Sequence, residues 1–154
     1  MSSQHQQSQH GNAIVLGCCG IVVLGASGSG KSRLSHKLIE SWNLRQEYAR
    51  WVADDRLIVE LTNGSYVVKA PSSLRGQAER RFSGIETVEW QSSAVVDLIV
   101  QLLPTEKLER MPELSNHQLV PGGPATPLLV VPQYQFSQAI ELIEARLAPE
   151  SPNP

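Results

Sequence analysis

Aromatic residues are scarce in this chain: they make up 5% of its 154 residues, against a hydrophobic fraction of 41%. A core of that composition must be packed by aliphatic side chains. Cysteine is scarcer still. Cys18 and Cys19 are the only two, and they are neighbours, a poor basis for a structural disulfide; no C-x-x-C spacing points to zinc. They read as two small residues at a strand turn. His5, His36 and His117 also stand at no metal-ligand spacing. The chain has no basic stripe, and its net charge is −2 with a pI near 6.1. That balance argues against a nucleic-acid partner and against an anionic membrane surface. No apolar run approaches the roughly 18 residues that a membrane span requires. Met1 to Gln7 offers neither a basic segment nor an apolar one, so no secretory signal is expected and the cytoplasm is the expected compartment.

What is present is one domain's worth of patterned chain. Residues 1–9 are Gln-, Ser- and His-rich and are expected to be a disordered tail; residues 149–154 are expected to be a loose one. Between them, 10–148 reads as a single domain. Ala13–Leu16 and Ile21–Leu24 predict strands around a Gly17-Cys18-Cys19-Gly20 turn. Arg33–Ser41 carries Leu34, Leu38 and Ile39 at helical spacing, and Asn43 is placed to cap its end. Tyr48–Ala53 reads as a strand. Leu57–Leu61 and Tyr66–Ala70 flank Asn63-Gly64, a strong hairpin signal. Ser72–Ser83 is polar, and Gly84–Glu89 is a further strand. Ser92-Ser93 ahead of Val95, Val96, Leu98, Ile99, Leu102 and Leu103 predicts a helix over 94–103, closed by Pro104. The Pro- and Gly-rich 104–127 reads as an irregular excursion. Leu128–Val131 is a buried strand, and a helix follows from Ser137. Strands ahead of helices, with hairpins among them, predict an α/β fold with a mixed sheet.

The organising stretch is Gly25-Ala26-Ser27-Gly28-Ser29-Gly30-Lys31-Ser32. It meets G-x-x-x-x-G-K-[ST] at every fixed position, after a strand and before a helix. Backbone N–H groups and a helix N-terminus favour anionic charge there. Lys31 would reach the β- and γ-phosphates of ATP, and the Ser32 hydroxyl would meet Mg²⁺. A P-loop also needs an acid near the transferring phosphate. Asp54-Asp55 ends the next strand, and adjacent residues there face opposite sides. One of the two could accept a proton from an attacking hydroxyl, the other orient a neighbour or reach metal through water.

His10-Gly11, Gly25–Ser32, Val52-Ala53-Asp54-Asp55 and Glu79-x-Arg81-x-x-Gly84-Ile85 stand in collinear order. In that combination the chain resembles HPr kinase/phosphorylase, and more narrowly the short alphaproteobacterial form that consists of the catalytic domain only. The likeness runs from His10 to about Leu147. It implies a P-loop fold of the HPr kinase/PEP carboxykinase-like kind and an ATP- and Mg²⁺-dependent serine kinase. The substrate would be the phosphocarrier HPr, and the output regulation of a phosphotransferase system and carbon metabolism. It also implies the family's histidine at His10, fifteen positions ahead of the P-loop, with Lys31 as the phosphate-binding lysine. Ser32 and Glu79 become metal ligands, Asp55 the acid/base residue and Asp54 a group orienting His10. Arg81 belongs to the signature stretch, and Arg110 in Leu108-Glu109-Arg110-Met111-Pro112 matches a late catalytic arginine. Long members form hexamers, so a homo-oligomer is implied as well.

Two departures stand out. Phe82 occupies a position at which the family signature carries glycine; a positive φ there would strain it. The family's second activity is phosphorolysis of the phosphoserine product, and it uses an arginine- and glycine-bearing loop. The matching Gln133–Gln138 carries neither residue. Two other readings therefore stand beside the kinase: a non-catalytic ATP-binding sensor, and a small-molecule P-loop kinase.

Overall fold

The computed structural model describes residues 6–80, 82–108 and 115–148. Among these, β1 (Gln6–His10), β2 (Asn12–Leu16), β3 (Cys19–Leu24), β4 (Ala49–Ala53), β5 (Arg56–Thr62) and β6 (Ser65–Lys69) are followed by the hairpin β7 (Gln77–Arg80) and β8 (Gly84–Thr87). Then come β9 (Ala94–Leu103), β10 (Ser115–His117) and β11 (Thr126–Pro132). The helices are α1 (Lys31–Leu44), the single turn α2 (Thr105–Leu108) and α3 (Phe136–Leu147). The large mixed sheet runs β1-β5-β6-β9-β3-β2-β4, and β11 joins β9. β1 and β2 are nearly one strand bent at Gly11, whose N–H donates to the Asp55 carbonyl at 2.9 Å. Because β1 pairs β5 while β2 pairs β3 and β4, the sheet curls on itself.

The curl gives two cores. Ile21 and Val23 of β3, with Leu98, Val100 and Leu102 of β9, pack against Leu34 and Leu38 of α1 and Ile143 of α3. On the opposite face Val22 and Ile99 pack with Leu57, Val59, Tyr66 and Val68 inside the curl. Strands buried on both faces need continuous apolar runs, which suits a chain poor in aromatics.

The helix expected over 94–103 is a ten-residue strand, β9. The register with β3 shifts after Gly20, which faces Val96, so that Ile21 faces Leu98. Asp97 is the extra residue, and its Oδ2 accepts the Gly20 N–H at 2.9 Å. A bulge changes the phase of alternation. Val96 and Ile99, three apart, therefore enter the same core, and that spacing imitates a helix face. The disordered tail expected over 1–9 is corrected at 6–9, while residues 1–5 and the loose tail expected over 149–154 lie outside the described residues. Gln6–His10 pairs antiparallel with Arg56–Glu60. An edge strand is held by backbone hydrogen bonds and needs no apolar side chains, so its polar composition hid it. Helix α1 runs one residue past Asn43, and Arg45 caps it. The excursion at 104–127 contains α2 and β10.

Other expectations hold. Asn63 and Gly64 have φ of 52° and 77°, a primed hairpin turn between β5 and β6. The predicted strands near 13–16, 21–24, 49–53, 84–87 and 128–131 are present, as are the P-loop helix and the last helix. Phe82 sits in the turn between β7 and β8 at φ 70°, the left-handed conformation that glycine takes without cost, and is 96% exposed.

Among the described glycines, Gly20 leaves the least room for a side chain. A Cβ there would stand 1.9 Å from the Val95 carbonyl oxygen. Neither strand can move without breaking the β3–β9 ladder. Gly20→Ala is expected to lower unfolding free energy by about 3 kcal/mol, the upper range for overpacking. Gly64→Ala, with open space around it, is expected to cost about 1 kcal/mol through its positive φ alone. Urea denaturation of the two variants checks the ordering.

Candidate active site

β4, β3, β9 and β11 all run in one direction, since β2 is antiparallel to both β3 and β4 while β9 is parallel to β3 and to β11. Ligands of such sheets bind beyond the carboxyl ends of parallel strands. Here those ends carry Asp54-Asp55, the glycine loop, Pro104–Leu108 and Gln133–Phe136 in turn. β2 begins at the same end, with His10-Gly11 just ahead of it.

The loop between β3 and α1 is built for an anion. Gly28 and Gly30 have φ of 78° and 98°, the left-handed conformation from which loop N–H groups can face an anion, and the Ser29 N–H between them closes a turn onto the Ala26 carbonyl at 3.0 Å. A Cβ on Gly25 would press on Ser29 Oγ at 2.6 Å, and one on Gly30 would meet the Phe136 ring at 3.0 Å. Among the described residues Ser29 Oγ is buried without a hydrogen-bond partner. Lys31 is 6% exposed, and its Nζ donates to the carbonyls of Gly25 (3.0 Å) and Ala26 (3.1 Å). This donor set fits a nucleotide's phosphates. Burial pushes the Lys31 ammonium below its ordinary value of 10.5, against the opposing pull of Asp55 and Asp54.

On the β4 side the two acids part, because the chain turns just past the strand's end at Ala53. Ser32 Oγ donates to Asp54 Oδ1 at 2.5 Å, and the Glu79 N–H donates to Asp54 Oδ2 at 2.7 Å. Asp55, at φ 69°, turns the other way, and its Oδ1 lies 3.3 Å from His10 Nε2. The carboxylate facing His10 is thus that of Asp55, and the expectation that Asp54 orients His10 is corrected. The physical reason is that Asp54 is already engaged by α1 and by the β7–β8 hairpin. Both His10 and Asp55 are about half exposed, at 48% and 63% of their side chains, open to an incoming group.

Asn12, which sequence reading passed over, joins these parts. It is fully buried. Its Nδ2 donates to Ser32 Oγ and Ser35 Oγ, each at 3.3 Å, and its Oδ1 accepts the Asp55 N–H at 2.8 Å. A polar residue opening an otherwise apolar strand, two positions after His10, was the available signal. His36, read as having no ligand role, is a packed side chain. Its ring meets Trp51 edge-on at 4.9 Å, and its Nε2 donates to the Glu79 carbonyl at 3.2 Å.

Glu79 is brought beside this group through its backbone, with its residue exposed. Among the described residues no group of three or more His, Cys, Asp or Glu could hold a metal ion. Mg²⁺ needs no such cage: it keeps several waters and takes one or two protein oxygens plus phosphate. Ser32 Oγ and Asp54 fit that requirement. Arg81 and Arg110 lie outside the described residues.

On the β11 side the loop 133–136 closes against the P-loop. The Tyr134 hydroxyl donates to the Gly28 carbonyl, and the Phe136 ring packs on Gly30. Arg33 and Lys37 of α1 stand over the Phe136 ring at 5.2 and 5.8 Å. The loop itself lacks cations, as its sequence says, but α1 supplies two beside it. Tyr134 holds φ 61°, which costs about 1 kcal/mol.

Fold and site together define a P-loop domain on a curled mixed sheet. That architecture is similar to the Hpr(Ser) kinase/phosphatase from Coxiella burnetii: TM-score 0.75, 22% identity, covering 92% of this chain and 96% of that one. No protein-family model and no curated protein sequence matches the chain. Among the described residues no helix is long and apolar enough to cross a membrane.

The position of Lys31 carries a consequence for binding. A bound phosphate favours the ammonium form and raises a value that burial has lowered, so binding takes up a proton on the alkaline side. Affinity for pyrophosphate should therefore fall as pH rises through the free protein's lysine value, starting below 10.5. The limiting slope is about tenfold per pH unit. Calorimetric titrations across the alkaline range measure it, and Lys31→Met should bind weakly and without that slope.

Proposed function

We propose that this protein is an ATP- and Mg²⁺-dependent kinase that phosphorylates a serine of an HPr-type phosphocarrier protein in the cytoplasm, with regulation of a phosphotransferase system as its output. The observation that carries the reading is the division of labour between the two acids beside the P-loop. Asp54 is bound to the loop's own Ser32, while Asp55 stands open with His10. A phosphoryl transfer needs this pair of tasks. The likeness in fold to a protein described as an Hpr(Ser) kinase/phosphatase supports the choice of substrate.

In this mechanism Asp55 accepts the proton of the substrate's hydroxyl as its oxygen bonds to the γ-phosphorus. The bond from that phosphorus to the bridging oxygen of ADP breaks. His10 holds the Asp55 carboxylate in place. Lys31 and the loop amides balance the phosphate charge. Ser32 and Asp54, with Glu79 adjoining, would hold Mg²⁺, which supplies charge neutralisation on the phosphates. Arg81 and Arg110 are proposed to act on the transferring group, as the resemblance implies. The gain comes from positioning and preset charge.

The test is incubation with γ-labelled ATP and HPr. Wild type should label HPr on serine. Asp55→Asn should lose about 10²–10⁴-fold in rate while holding ATP within a few-fold of wild-type affinity. ATP bound without transfer to any acceptor would point to the sensor, and a labelled metabolite with unlabelled HPr to a small-molecule kinase. Either outcome overturns the proposal.

A further inference from the structure

We infer that Tyr134 is the platform on which the heterocyclic base of the bound nucleotide stacks, an inference that rests on the nucleotide-binding reading of the P-loop. The strand order β11-β9-β3-β2-β4 places the glycine loop centrally. The acids and His10 stand on its β4 flank, where an acceptor hydroxyl and a metal would be handled. A nucleotide with its terminal phosphates directed to that flank must lay its base elsewhere, and the β11 flank is the other wall of the same crevice.

The β11 flank presents an aromatic ring held in place. The Gln133 N–H donates to the Leu103 carbonyl at 2.9 Å, and Gln135 Nε2 donates to Thr105 Oγ1 at 3.1 Å. These bonds tie the loop to the end of β9 on either side of Tyr134. Its hydroxyl donates to the Gly28 carbonyl, which keeps the residue beside the phosphate loop. Yet the residue is 58% exposed. Phe136 already packs on Gly30, so the ring of Tyr134 is not needed to fill that space. Two unfavourable features thus coincide: a non-glycine residue at φ 61° and a large apolar face in water. Strain retained by an over-determined backbone marks a functional position more often than a structural one. A purine offers the broadest π-face to such a ring, and stacking on an exposed aromatic is tolerant of which base it is.

The experiment compares ADP with pyrophosphate, which share two linked phosphates and differ by the nucleoside. Wild type should bind ADP more tightly than pyrophosphate. Tyr134→Ala should weaken ADP about tenfold and change pyrophosphate less than about twofold. Tyr134→Trp should keep ADP affinity, and its added indole fluorescence should be quenched by ADP and not by pyrophosphate. ADP binding unchanged in Tyr134→Ala, or an indole at 134 blind to ADP, would overturn the inference. So would an equal loss for both ligands, which would mean that the ring only supports the loop. Wild type binding pyrophosphate and ADP alike would overturn the base platform alone. Wild type binding neither would overturn the nucleotide reading with it.

Discussion

The buried amide of Asn12 is the joint on which the site depends. One side chain satisfies three groups from two other segments: the hydroxyls of Ser32 and Ser35 on α1, and the N–H of Asp55 after β4. A fully buried amide is costly unless its donors and acceptor are used, and here both ends are used. The bonds fix the separation between the helix that bears the P-loop serine and the turn that bears the open acid. The bend at Gly11 follows from the same arrangement. A Cβ there would come within 3.1–3.2 Å of Leu24, Leu57 and the Val23 carbonyl, so the chain passes closely between the two halves of the curled sheet and delivers His10 to Asp55.

Around that joint the sheet order sorts chemistry into flanks. β3 ends in the anion loop, β4 in the acids and β11 in an aromatic loop, all at the same edge. Asp97 has a quieter part. By accepting the Gly20 N–H it holds the bulge that puts Val96 on the same face of β9 as Ile99.

Much of this was legible in the sequence where the signal was local. The glycine loop, the Asn63-Gly64 hairpin, the helix behind Lys31 and the strand before Gln133 each announce themselves through turn chemistry or period. The division of Asp54 from Asp55 was expected from strand alternation, but it comes from the left-handed turn at Asp55 just past the end of β4. What each of them touches did not, because Ser32, Glu79 and His10 arrive from three different segments. β9 was misread because a bulge at Asp97 converts a period of two into a spacing of three. β1 was missed because an edge strand of glutamines has no apolar pattern. The roles of Asn12 and Tyr134 could not be read for a common reason: each is defined by partners far along the chain, and at Asn12 the one local sign was a polar residue opening an apolar strand. The sequence showed only that a positive φ would strain Phe82; the turn between β7 and β8 does hold it at φ 70°.

We propose that one nucleotide site spans the carboxyl ends of β4, β3 and β11. Backbone ¹H–¹⁵N spectra recorded during a titration with ADP and Mg²⁺ test it most directly. The account predicts the largest shifts at Gly25–Ser32, with further shifts at Asp54, Asp55 and Tyr134. It predicts none at Gly64 or in the shallow cavity of about 300 Å³ lined by Gly17, Cys18 and Asp97. Shifts centred on that cavity, with the glycine loop unmoved, would contradict it.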